Sequence, residues 1–194
     1  MKGIILLCND YIKDFPITRE IPVGLLPVHG RTIVDNIIDL FFKHGVFEIW
    51  LSYNKKNINQ YSEKFSFPVI LTDKENSNYL FLIKRDIINN FKKDFIIANG
   101  CAVLNFNIAK AVDFHKKEKN IITKVISKNN EVSEYYIVNP KIFKYVAEKT
   151  FFSDVIKILT AEKEKVGDYV CQESPIKCDS MGNYEKILNW EGIN

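Results

Sequence analysis

Residues 3–8 read GIILLC, an apolar run without a polar residue on either alternating face. A strand with one wet face alternates apolar and polar side chains, whereas a strand covered on both faces by helices carries a continuous apolar run. The run therefore asks for a layer above and a layer below, and places this strand centrally in its sheet. The rest of the chain keeps that rhythm. Strand-like segments at 47–52 (FEIWLS), 68–72 (PVILT) and 94–98 (DFIIA) alternate with helix-like segments at 32–43, 56–65, 79–91 and 107–118.

In the first of these helices Ile33, Val34, Ile37, Ile38, Phe41 and Phe42 recur at helical spacing, and His44-Gly45 supplies the stop. Segments 120–127 and 131–138 read as two strands joined at Asn129-Asn130, because asparagine tolerates positive φ. Pro140 suits the first turn of a helix to about residue 148, and Ser153-Asp154 suits the cap of a helix over 155–163. A strand at 166–171 and a helix at 182–190 follow. Such alternation predicts an α/β fold, a Rossmann-like three-layer sandwich with a mostly parallel mixed sheet, as a single domain over residues 1–194.

Charge and cysteine usage narrow the function classes. The net charge of +3, from 27 basic and 24 acidic residues, is spread along the chain and leaves no footprint for nucleic acid. Lysine pairs such as Lys55-Lys56 and Lys116-Lys117 read as solvated faces. No signal peptide or membrane-length apolar stretch is present, so a cytoplasmic protein with no membrane contact is expected. Cys8, Cys101, Cys171 and Cys178 form no CxxC pair and His29, His44 and His115 are scattered, so reduced thiols are expected and no metal site is assigned. Cys171 and Cys178 flank a short segment and are placed to meet across a hairpin.

In such sheets ligands sit at the carboxyl ends of the strands, which directs attention to the loop after GIILLC and to Asn99-Gly100 after DFIIA. The first loop, NDYIKDFPIT over residues 9–18, has no glycine to admit a phosphate close to the backbone.

From residue 3 onward, GIILLCNDYIKDFPIT followed by IPVGLLPVHGRTIV resembles, without a gap, the GIILAAGxGTRLxPLT and PKPLLPVxGxPII segments of the sugar-1-phosphate nucleotidyltransferases. HGVFEIWLSYN resembles that family's second strand, DFIIANGCAVLNFNIAKAVDFHKKEK its central metal-bearing strand and next helix, and FFSDVIKIL with NYEKILNW its C-terminal helices. The resemblance implies the nucleotide-diphospho-sugar transferase fold. It also implies condensation of a nucleoside triphosphate with a sugar 1-phosphate, with a glycine-rich loop and its arginine on the triphosphate, a lysine on phosphate, and two carboxylates on magnesium.

Position by position, the chain departs from that pattern. Asn9 and Tyr11 stand where the two loop glycines are expected, Lys13 at the loop arginine, and Val23 at the phosphate lysine. Cys101 stands at the first metal carboxylate, and a thiol is a poor ligand for a hard cation. Aligning Tyr184 puts Lys177 at the second metal position, while a two-residue slip would put Asp179 there. The segment carrying the EKP motif for the sugar phosphate is read as deleted, since Glu131–Tyr136 runs straight into IVNPKIF.

Two readings follow. In the first, the chain is a catalytically inactive nucleotidyltransferase-like protein, a pseudoenzyme acting as a regulatory, scaffolding or ligand-binding module. It then takes a protein partner or a second copy of itself, with residual nucleotide binding allowed and no cofactor. Positioned charges supply most of the rate in such transfers, about 2–4 kcal/mol each, and several are missing together. In the second reading it is a divergent sugar-1-phosphate nucleotidyltransferase that uses Lys13, Asp10, Asp14 and Asp179, with magnesium as cofactor. Cys101 is expected as an inert buried cysteine and His29 as a loop residue without a chemical role; Trp50, Phe151, Phe152 and Trp190 are aromatic candidates for an interface, with core packing the simpler role of each.

Overall fold

The computed structural model describes residues 1–7, 12, 14–54, 58–72, 79–147 and 152–190. Strand β1 (Lys2–Leu7) is buried from Gly3 onward. Its side chains divide between two cores, Ile5 and Leu7 entering one cluster and Ile4 and Leu6 the other, as a doubly covered strand must. A two-stranded ribbon, β2 (Pro27–Val28) and β3 (Arg31–Thr32), leads into α1 (Ile33–Lys43). Thr32 and Asp35 form a reciprocal capping box at the start of α1, so the helix begins one residue into the expected segment.

Next come β4 (Glu48–Asn54), α2 (Ile58–Ser62), β5 (Val69–Thr72), α3 (Tyr79–Ile87) and β6 (Phe95–Asn99). The expected helix over 79–91 tightens to a 3-10 turn at Ile88–Asn90. After β7 (Ala102–Val103), Asn107 caps α4 (Ile108–Glu118) by accepting the Lys110 N–H at 3.0 Å. Then β8 (Ile122–Ile126) and β9 (Val132–Val138) form the expected hairpin, with Asn130 at φ 62° in its turn. The chain ends with α5 (Phe152–Ala161), β10 (Val166–Val170), β11 (Ile176–Lys177) and α6 (Met181–Leu188).

The main sheet has seven strands in the order β10-β8-β9-β6-β1-β4-β5, and β9 alone runs antiparallel to its neighbours. One face packs residues of α1, α2, α4 and α6, including Phe41, Tyr61, Ile108 and Ile187. The other packs residues of α3 and α5, including Leu80, Ile83, Val155 and Leu159. This is the three-layer, mostly parallel mixed sheet that the apolar strands and amphipathic helices predict. No helix among the described residues is long and apolar enough to cross a membrane.

Several local expectations are corrected. Residues 140–148 do not form an α-helix: Pro140–Lys144 is a 3-10 turn, closed by the Tyr145 N–H on the Ile142 carbonyl, which tucks consecutive Ile142 and Phe143 into the core. Ser153 and Asp154 are not a cap, because α5 already starts at Phe152, whose ring packs 4.5 Å from that of Tyr136. Cys171 and Cys178 do not face each other across a hairpin: β10 pairs in parallel with β8, and β11 leaves that sheet to pair with β7. Of the aromatic candidates, Trp50 packs near Phe91 and Trp190 against the core, while Phe151 lies outside the described residues. The exposed aromatic pair is instead Phe42 and Phe47, with ring centres 5.8 Å apart.

Candidate functional site

From β1 the sheet grows toward β4 on one side and β6 on the other, so the crevice between the carboxyl ends of β1 and β6 is the topological switch point. The two ends are closely joined. Gly100 donates its N–H to the Leu6 carbonyl at 2.7 Å, and a Cβ at Gly100 would stand 2.2 Å from Leu7 Cδ2 and 3.0 Å from that carbonyl. The NG after DFIIA is thus a packing requirement at the floor of the crevice.

Beside it, the short antiparallel ribbon of β7 and β11 sets Lys177 opposite Ala102, and Cys178 N–H bonds the Cys101 carbonyl at 2.7 Å. That register brings Cys101 and Lys177, far apart in sequence, to one edge of the crevice. The Lys177 ammonium donates to Glu134 Oε1 at 2.6 Å. Asn99 donates its amide to the other oxygen of Glu134 and accepts the Cys101 N–H at 2.8 Å on its own carbonyl. Burial works against the Lys177 charge, but the hydrogen bond and charge of Glu134, joined by Asp179, hold its pKa above the ordinary lysine value.

Glu134 is the site residue that sequence reasoning misses. It lies in β9 at φ 60°, next to a register shift against β8 between Lys124 and Ile126. The side chain of Ser133 bonds the Val125 carbonyl and the hydroxyl of Tyr135 bonds the Ala102 carbonyl, so both flanks of Glu134 are pinned. An irregularity of this kind bends the strand, and Glu134 within it presents its carboxylate to Lys177. The only sequence signal is the polar pair Ser133-Glu134 inside an apolar strand.

The other candidates fall elsewhere. Val23, in a 3-10 turn (Val23–Leu25), is fully buried in the apolar core. Asp179 is exposed and accepts the Asn183 amide at 2.7 Å at the start of α6, while its N–H bonds the Lys177 carbonyl. Cys101 is buried. Asn9, Asp10, Tyr11 and Lys13 lie outside the described residues; Asp14, in a turn, is exposed. Beyond it, the Thr18 hydroxyl accepts the Ile12 N–H at 2.9 Å, and Phe15 packs 5.4 Å from Tyr184, which anchors the outgoing limb of the loop.

Magnesium prefers several oxygen ligands. The described edge of the crevice offers an ammonium, a buried thiol, a carboxylate (Glu134) already shared by Lys177 and Asn99, and the exposed carboxylate of Asp179, which accepts the Asn183 amide. No three His, Cys, Asp or Glu side chains converge as a metal site among the described residues. These residues do not suit the divalent cation that the resemblance implies. What they present is a closed polar network in which the Lys177 ammonium and the Asn99 amide are both given to Glu134.

The Nucleotidyl transferase family model matches residues 13–152, most of the chain, beginning after β1 and including β6. The chain belongs to the nucleotidyl transferase family. Its similar relatives include a mannose-1-phosphate guanyltransferase of Gibberella zeae, 27% identical over 148 residues that make up 71% of this chain and 40% of that protein. A bifunctional protein GlmU of Methanococcus maripaludis is 26% identical over 169 residues, 85% of this chain and 36% of that protein. The chain thus spans about two fifths of the length of these curated relatives. In structure it resembles a candidate glucose-1-phosphate thymidylyltransferase of Bacillus anthracis, solved with a sucrose, at a TM-score of 0.78 and 11% identity over 97% of this chain and 94% of that one. HddC of Yersinia pseudotuberculosis superposes at 0.72 with 15% identity, over 97% and 99% of the two chains. In this member of the nucleotidyl transferase family the Lys177–Glu134–Asn99 cluster stands at the rim of the switch-point crevice.

Proposed function

We propose that this chain is a binding module of the nucleotidyl transferase family that does not carry out nucleotidyl transfer, and that its crevice holds an anionic ligand in a regulatory or scaffolding role. The observation that carries this reading is the ion pair of Lys177 with Glu134, set beside Cys101. At the first position where the family resemblance asks for a metal carboxylate the chain supplies a buried thiol, and at the second, with Tyr184 aligned, the ion-paired Lys177, or with a two-residue slip Asp179. The ammonium occupies the nearby Glu134 carboxylate, which is then not free to ligate a divalent metal. With Val23 in the core, the lysine expected on phosphate is absent as well. The partner in this reading is another protein or a second copy of the chain.

The test is incubation with each nucleoside triphosphate, magnesium and a panel of sugar 1-phosphates, with pyrophosphate release followed by a coupled assay and binding by calorimetry. The expected result is nucleotide or sugar-phosphate binding without pyrophosphate above the protein-free blank, unchanged by chelator. A second reading, a divergent sugar-1-phosphate nucleotidyltransferase, draws on the likeness to a mannose-1-phosphate guanyltransferase. Magnesium-dependent turnover of GTP with mannose 1-phosphate would establish it and overturn the first.

A further inference from the structure

We propose that the Glu134 carboxylate is an autoinhibitory stand-in for ligand: it occupies the Lys177 ammonium, and an anion binds at the crevice rim only by displacing it. The inference rests on the reading above, that the crevice holds an anionic ligand, and adds how access to that site is regulated. Lys177 donates to Glu134 Oε1 at 2.6 Å, and the Asn99 amide donates to Oε2. Two donors on the two oxygens of one carboxylate form an arrangement that a phosphate group can also take, since both groups offer anionic oxygens side by side.

The pair is placed to open. The side chains of Lys177 and Glu134 are 38% and 31% exposed, so a solute reaches both without any strand leaving its sheet. Glu134 stands at φ 60°, a left-handed backbone uncommon for a residue with a side chain, beside the irregular pairing of β8 and β9. Its neighbours hold that backbone in place, Ser133 through the Val125 carbonyl and Tyr135 through the Ala102 carbonyl, so only the Glu134 side chain has to move. Lys177 is anchored separately, by the pairing of β11 with β7 and the Cys178 N–H on the Cys101 carbonyl. A displaced carboxylate therefore turns to solvent while the ammonium stays at the rim.

The exchange favours a multiply charged anion. A group with one negative charge gains no more from Lys177 than Glu134 already does, whereas a phosphate monoester carries about −1.5 to −2 near neutral pH. Burial opposes the Lys177 charge and Glu134 offsets it, so taking the charge from Glu134 leaves an ammonium short of a counter-ion at the rim. Asp179 does not replace that partner, because its carboxylate is exposed and accepts the Asn183 amide at 2.7 Å. Apparent affinity scales with the fraction of molecules whose site is open, so a contact closed in about nine of ten molecules weakens anion binding about tenfold.

Inorganic pyrophosphate is the probe, titrated by calorimetry into the whole chain with chelator present. Glu134→Gln, which keeps the shape of the side chain and loses its charge, should bind the probe at least tenfold more tightly than the unaltered protein. Glu134→Asn, a residue type that tolerates the same left-handed backbone, should show the same gain. Adding Lys177→Met should remove it. Glu48→Gln is the control for a mere change of net charge, because it frees Lys2 from an ion pair at the amino end of the sheet, and it should leave the affinity unchanged. Equal or weaker binding by both Glu134 variants, including no binding by any protein up to about 10 mM, would overturn the proposal. So would a gain that survives Lys177→Met or is matched by Glu48→Gln. Magnesium-dependent pyrophosphate release by the unaltered protein would overturn the reading of function and not this inference, since the titration is run without free metal.

Discussion

The ammonium of Lys177, on a two-residue strand near the end of the chain, lies 2.6 Å from a carboxylate oxygen of Glu134, on a bulged strand more than forty positions earlier. Each side chain is about one-third exposed. Their pairing joins the β7–β11 ribbon to the main sheet and defines the charge at the rim of the crevice.

Lys177→Met should lower stability at neutral pH by about 1 kcal/mol, the scale of a partly exposed, well-formed pair. Because Glu134 holds the lysine pKa above its ordinary value against the effect of burial, the pair stabilises fully below the unfolded lysine value of about 10.4 and loses its effect as pH rises through the higher folded value. Urea unfolding of both proteins across the alkaline range should therefore show the difference between them vanish at high pH. A constant difference would refute the assignment of the effect to this charge.

Val23→Lys, which restores the residue that the family resemblance asks for, should destabilise the chain by at least about 3 kcal/mol, because the ammonium would enter a closed apolar core. Thermal unfolding reads this directly. A folded, stable variant with newly acquired triphosphate binding would show that the Val23 turn opens toward the crevice.

Gly100→Ala should cost about 1–3 kcal/mol, the range for overpacking, since the added methyl meets Leu7 at the joint between β1 and β6. Part of the loss should be recovered in the double variant with Leu7→Ala. A double-variant cycle without coupling would count against that contact.

His115 titrates below the ordinary histidine value because its burial outweighs the attraction of Asp94, with Lys116 adding to the depression. Its contribution to stability is therefore present above the unfolded value of about 6.5 and lost as pH falls through the depressed folded value. His115→Asn should flatten the acid limb of the stability profile below neutrality, measured by chemical denaturation. An unchanged acid limb would place the titrating group elsewhere.

The layered frame was legible because it rests on periodicity. GIILLC needed two cores and has them, and Asn129-Asn130 needed a tight turn and makes one. The short ribbon of β7 and β11 was not legible, since two residues per strand are too few to show a period. Glu134 was missed for a related reason. Its carboxylate meets Lys177 only through an irregularity in the pairing of β8 and β9, and a polar residue in a strand otherwise reads as a solvent-facing position. Lys177 was singled out by the spacing to Tyr184, but its charge partner follows only from three-dimensional register.

Tyr184 of α6 donates its hydroxyl proton to the carbonyl of Pro27, across 157 positions of chain, and stacks at a tilt on Phe15. During synthesis the first thirty residues emerge long before this partner exists. The limb leaving the first loop can settle only after α6 is made, so the assembly of the crevice waits on a contact of very high sequence separation. Refolding experiments that follow Phe15 or Tyr184 should accordingly report the slowest phase of the chain.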